Sequence, residues 1–175
     1  LDDLIKNSNL TNVGVVQTKN FKKFAQEMKE RLEKDYGRNF LDLAKTEPGL
    51  ARLTDLDNAV VQLIKGMDAT WGDTITLNQY KGAMETLNKA INQTSKNDRV
   101  TLNANELRRA LSMDLAAISE KGYFEKNIAN QAGFKEFVEA QGTQEAKDAS
   151  KKNAKEIINS FGTRYKEANE LYSRI

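Results

Sequence analysis

Four aspartates, Asp55, Asp57, Asp73 and Asp98, can be nominated as carboxylates for catalysis. Two carboxylates facing a sugar suffice for glycoside hydrolysis, one protonating the leaving oxygen and the other attacking or activating water. That class stays open because the chain has no histidine, which removes the commonest general base, the commonest zinc ligand and the serine–histidine triad together. It has no cysteine either, so thiolate metal sites and disulfides are excluded. No spacing brings any two of the four aspartates across a cleft. They read as solvated faces and helix caps, and no catalytic residue is assigned.

A calcium loop is the next chemistry to test. Asn97, Asp98 and Val100 suit the middle of an EF-hand loop, but with Val100 in the central apolar position the first ligand would be Gln93, the tight-turn glycine Asp98 and the bidentate glutamate Ala104. Three essential positions fail, so no metal and no cofactor is expected. Basic clusters at Lys19, Lys22 and Lys23, at Arg108 and Arg109, and at Lys151, Lys152 and Lys155 are interleaved with acids or lie on exposed helical faces, without an aromatic platform for bases. With 27 basic against 25 acidic residues and a net charge of +2, nucleic acid is expected to make no more than non-specific phosphate contact. Trp71, the only tryptophan, reads as a lid on its own core beside an interhelical turn. No apolar run approaches the roughly 20 residues that span a bilayer.

The elements that position these residues are helices throughout. The longest signal runs from Gln144 to Ile175: Ala154, Ile158, Phe161, Tyr165, Ala168, Tyr172 and Ile175 recur in alternating steps of four and three, a heptad seam. Ile157 and Leu171 widen it into the face of a bundle helix. The seam continues to the last residue, and Leu1, Leu4 and Ile5 have the spacing of a helix's final turn, so the chain is expected to be a piece of a longer one.

The rest divides readily. Residues 1–17 form a helix stub and a linker, with Val13, Val15 and Val16 around Gly14 extended at most. Residues 18–142 form a bundle of several helices, and 143–175 the long C-terminal helix. Within the bundle, Phe21, Phe24, Met28, Leu32 and Tyr36 share a face ended by Gly37, and a short segment Asn39 to Lys45 follows. Pro48 opens a helix carrying Leu50, Leu53, Leu56, Val60, Leu63, Ile64 and Met67, ending near Asp68. Two similar starts come next. Thr76 with Gln79 predicts one capping box, with Ile75 stapled to Tyr80, and Asn103 with Glu106 predicts a second, with Leu102 stapled to Leu107. Tyr80, Met84, Leu87, Ala90 and Ile91, then Leu107, Ala110, Leu111, Leu115 and Ile118, mark the two helices. Gly122 breaks the second, Phe124, Ile128, Phe137 and Val138 mark short helices interrupted at Gly133, and Gly142-Thr143 lead into the last. The fold class is all-α, a multi-helix bundle from which a long C-terminal helix extends.

Helix starts such as Asp73-Thr74-Ile75-Thr76-Leu77-Asn78, Asn- and Lys-rich helices without cysteine, and helical signal at both ends give the chain a habit that resembles segments of large bacteriophage virion proteins, of the internal, ejection or tape-measure kind. The resemblance covers the chain as a style, without a diagnostic motif, and assigns no functional residue. It implies a non-enzymatic structural module of the virion that assembles with copies of itself or with neighbouring proteins. The expected contact residues are Phe161, Tyr165, Ala168, Leu171, Tyr172 and Ile175, because an apolar stripe that outruns its own core marks a contact surface. Two alternatives share the composition. One is a secreted bacterial effector or surface-binding helical module. The other is a muralytic domain carried in a virion protein, although the glutamate, aspartate-or-cysteine and threonine set of helical phage-type lysozymes is missing from this sequence.

Overall fold

A computed structural model describes residues 13–36, 48–70, 73–92 and 99–173. The stub at 1–6, the first part of the linker, the Asn39 to Lys45 segment, Trp71, Asp98 and Ile175 lie outside the described residues, as do the side chains of Leu50, Leu53 and Tyr172. The chain is all-α. In order it forms β1 (Val16–Gln17), α1 (Lys19–Tyr36), α2 (Pro48–Thr70), β2 (Thr74–Ile75), α3 (Leu77–Asn92), α4 (Arg99–Ala116), a 3₁₀ turn (Ala117–Ser119), a π-helical turn (Phe124–Ile128), α5 (Ala132–Glu139) and α6 (Gln144–Ser173). Among the described residues no helix is long and apolar enough to cross a membrane.

α4 is the central element. Val100, Ala104, Leu107, Leu111 and Leu115 fall at helical spacing and are fully buried, and they pack chiefly against α1 and α3. α1 contributes Phe21, Ala25, Met28 and Leu32, α2 Leu56, Val60 and Met67, and α3 Leu77, Tyr80, Ala83 and Leu87. Phe24, Leu63, Ile64, Met84, Ala90 and Ile91 pack half-buried around them.

The stretch around Gly14 is extended as expected, and it is buried in the core. β1 and β2 pair antiparallel with Val16 opposite Ile75 and Gln17 opposite Thr74, and both Val15 and Val16 are buried. Isolated two-residue strands have few bonds of their own, so buried backbone groups here need other partners. Tyr123 supplies them. Its hydroxyl accepts from the Gln17 amide at 3.0 Å and donates to the Val15 carbonyl at 2.5 Å, closing the edge of β1 that β2 leaves open. Burial pushes the Tyr123 phenol well above its ordinary value, the Gln17 amide opposing.

Helix starts divide between local and distant caps. At α3 the box forms as expected: the Gln79 amide donates to Thr76 Oγ1 at 3.1 Å and the Thr76 amide to Gln79 Oε1 at 2.9 Å. The second expected box does not form. α4 already begins at Arg99, so Asn103 and Glu106 lie inside it, both receiving Arg31 Nη2 at 3.4 and 3.5 Å, and Leu102 is exposed. Thr, Asn and Glu are tolerated in helix interiors once neighbouring turns are packed, and burial of Val100 and Thr101 carries this helix upstream of the cap signal. α1 has no acid in its own first turn, and Asp114 of α4 takes that place from a distance, accepting the amides of Asn20 at 3.0 Å and Phe21 at 2.9 Å. Burial raises the Asp114 pKa, against the pull of those two donors.

Gly122 and Gly142 have φ of 77° and 91°, backbone that favours glycine, and they end the α4–3₁₀ and α5 segments respectively. Gly133 does not interrupt a helix. It sits in the first turn of α5, and the break falls at 129–131, after the π-helical turn.

Candidate interaction face on the last helix

α6 starts where Thr143 Oγ1 accepts the Ala146 amide at 3.1 Å. Its 30 residues make a rod of about 45 Å. Two exposed ion pairs tie the first half down: Lys147 to Glu139 at 2.9 Å and Lys155 to Glu125 at 2.6 Å, each lysine holding its carboxylate below the ordinary range. Exposed pairs of this kind add little stability, so the apolar seam must anchor the helix. Ala154, Ile158 and Phe161 are buried and Ile157 half-buried.

Gly162, next to Phe161, is where α6 comes closest to the bundle. A Cβ there would lie 2.7 Å from the Ile118 carbonyl oxygen and 3.1 Å from Ser119 Cα, so the helix backbone rests directly on the 3₁₀ turn. Among the expected contact residues, Phe161 is therefore internal. Tyr165 is half-buried, its ring stacked on that of Phe161 with centroids 6.3 Å apart and planes at 15°, and it lies near enough to Tyr80 to push that phenol up, behind the larger effect of burial. Ala168 is half-buried and Leu171 is 64% exposed. Burial thus falls along the seam from Phe161 to Tyr165 and Ala168, and Leu171, which flanks it, is in water. Tyr172 continues the helix backbone.

A cavity of about 470 Å³ opens near the other end of α6. Phe124, Phe134 and Val138 form its floor, the first two rings meeting edge to face at 5.5 Å and 87°. Lys135, Glu139 and Lys151 stand at its rim. Glu139 is engaged by Lys147, whereas Lys135 takes part in no ion pair among the described residues. The other large exposed apolar side chains among the described residues, Leu102 and Met113, are on α4.

Of the four aspartates, three lie among the described residues. Asp55 is exposed. Asp57 is buried, its pKa raised by that burial, with Lys29 pulling it down and Glu33 pushing it up. Asp73 is exposed, 4.0 Å from Lys22, and its carbonyl receives the amide and hydroxyl of Thr18. The second half of the tested calcium window lies in α4, with Val100 and Ala104 in the core. Among the described residues no three acidic side chains gather to hold a metal ion. Of the basic clusters, Lys22 lies near Asp73, Lys155 pairs with Glu125, and Arg108 Nε is buried without an acceptor.

Sequence reasoning passed over Gly162, Asp114, Tyr123, Phe134 and the pocket. For two of these a signal was present. A glycine inside a sustained heptad seam weakens its helix by roughly 1 kcal/mol and so asks for a close neighbour, and Asp114 falls three and four residues after Leu111 and Ala110, on the buried face of its helix. Tyr123 depends on a segment about a hundred residues away, and the pocket on how three successive helical elements meet. Comparison of the chain with protein-family models, curated proteins and solved structures returns no match, so its function is argued from its own residues.

Proposed function

We propose that this chain is a non-enzymatic assembly module of a large bacteriophage virion protein, of the internal, ejection or tape-measure kind, which packs through helical faces against copies of itself or neighbouring virion proteins. The observation that carries the reading is the α6 seam, buried at Ala154, Ile158 and Phe161 and half-buried at Tyr165 and Ala168, with Leu171 at its flank in water. An exposed apolar residue gains roughly 1.5–3 kcal/mol when a partner covers it.

Sedimentation velocity over micromolar to millimolar concentration tests the assembly claim. The wild-type chain, alone or with proteins encoded beside it, should associate, and Leu171→Lys should weaken that association at unchanged circular dichroism and melting temperature. A large fall in the melting temperature of a monomeric Leu171→Lys protein would place the position in the core and overturn the reading, as would turnover of purified peptidoglycan by the wild-type chain. Flanking reading frames for other virion proteins are expected, and a flanking secretion apparatus would count against the virion assignment.

A further inference from the structure

The exposed end of α6 and the pocket beside its beginning complement each other in shape class and in charge. Leu171 is an aliphatic side chain in water, with Glu167 one turn before it on the same helix and exposed. The pocket has an apolar floor of Phe124, Phe134 and Val138, a volume several times that of a leucine side chain, and lysines 135 and 151 at its rim. Glu139, the acid at that rim, is bound to Lys147 and also attracted by Lys151, while Lys135 takes part in no ion pair among the described residues.

Resting on the assembly reading above, we propose that the partner of α6 is a second copy of this chain, bound head to tail: Leu171 of one copy seats on the Phe124–Phe134–Val138 floor of the next, and Glu167 meets Lys135 and Lys151. The contact is heterologous, because the two surfaces are different patches of the same molecule. Along α6, Lys151 and Leu171 are 20 residues apart, about 30 Å, so no copy satisfies its own pocket and each presents one knob and one hole. Such contacts propagate into a ring or an open filament. Charge matching across the rim sets register, which an inverted pairing of two α6 ends lacks.

Mixing two defective variants tests this. Leu171→Lys destroys the knob and keeps the hole, while the double variant Lys135→Glu/Lys151→Glu destroys the hole and keeps the knob; all three positions are exposed, so both proteins should fold with wild-type melting curves. Each variant alone should be monomeric where the wild type forms higher assemblies, with association weakened roughly 10- to 100-fold, as expected when one buried leucine is lost. An equimolar mixture should form dimers and stop there, because the one intact knob meets the one intact hole and both outer surfaces are dead. If the Lys135→Glu/Lys151→Glu variant alone associates as the wild type does, the contact is α6 against α6 and the head-to-tail proposal fails, although assembly through α6 stands; a mixture that stays monomeric while the wild type assembles overturns it as well. If the wild type is monomeric throughout and associates only with a foreign protein, the second copy is the wrong partner and the proposal is likewise overturned.

Discussion

Replacing Tyr123 by phenylalanine removes one oxygen atom and keeps the ring, so it isolates the contribution of the hydroxyl that closes β1. In the folded chain that hydroxyl satisfies the Gln17 amide and the Val15 carbonyl, and Tyr123 is 1% exposed, so water cannot readily take its place. A buried polar group left without a partner costs roughly 1–3 kcal/mol. Two such groups, less the desolvation that the hydroxyl no longer requires, give a loss of about 2–4 kcal/mol. For a chain of 175 residues, at roughly 2–4 °C per kcal/mol, the melting temperature should fall by about 4–16 °C. Urea unfolding followed by circular dichroism measures this, with the midpoint lowered and the slope unchanged. Alkaline pH supplies a second reading. The folded phenol is held above its unfolded value of about 10, so its contribution is fully present below that pH and declines as pH rises beyond it. The gap between wild type and Tyr123→Phe should therefore narrow above pH 10, by up to about 1.4 kcal/mol per pH unit. A change below about 0.5 kcal/mol at neutral pH, or a gap that does not narrow, would refute the role given to this hydroxyl.

Gly162→Ala should destabilise by about 1–3 kcal/mol, since its Cβ would press on the Ile118 carbonyl, whereas Gly82→Ala, with nothing within 4 Å, should stabilise by roughly 0.5–1 kcal/mol through helix propensity alone; thermal melts giving the same sign for both would contradict the close approach of α6. Asp114→Ala should lower stability by about 1–3 kcal/mol by orphaning the Asn20 and Phe21 amides, while Asn103→Ala, already inside α4, should stay within about 0.5 kcal/mol. Chemical denaturation of the pair decides which residue acts as a cap.

The helices were legible because the buried positions of α1, α3, α4 and α6 recur at intervals that any one helix imposes on its own sequence. The Thr76–Gln79 box was legible for the same reason, both partners lying within one turn. The α6 stripe was equally plain as a pattern, but its spacing is the same for a residue against the core and a residue in water. Only the packing of α6 on the 3₁₀ turn through Gly162, with Phe161 beneath and Leu171 beyond, decided where burial ends. The Asn103–Glu106 signal misled because capping chemistry is short-range and weak, and the upstream turn of α4 is held by tertiary burial of Val100 and Thr101. Asp114 and Tyr123 make the same point from the other side. Each satisfies backbone groups about a hundred residues away, and a hydrogen bond across that distance leaves no periodicity in the chain. Sequence determined which faces are apolar, since that depends on neighbours three and four residues apart; the fold decided which of those faces meet and which residues stay in water.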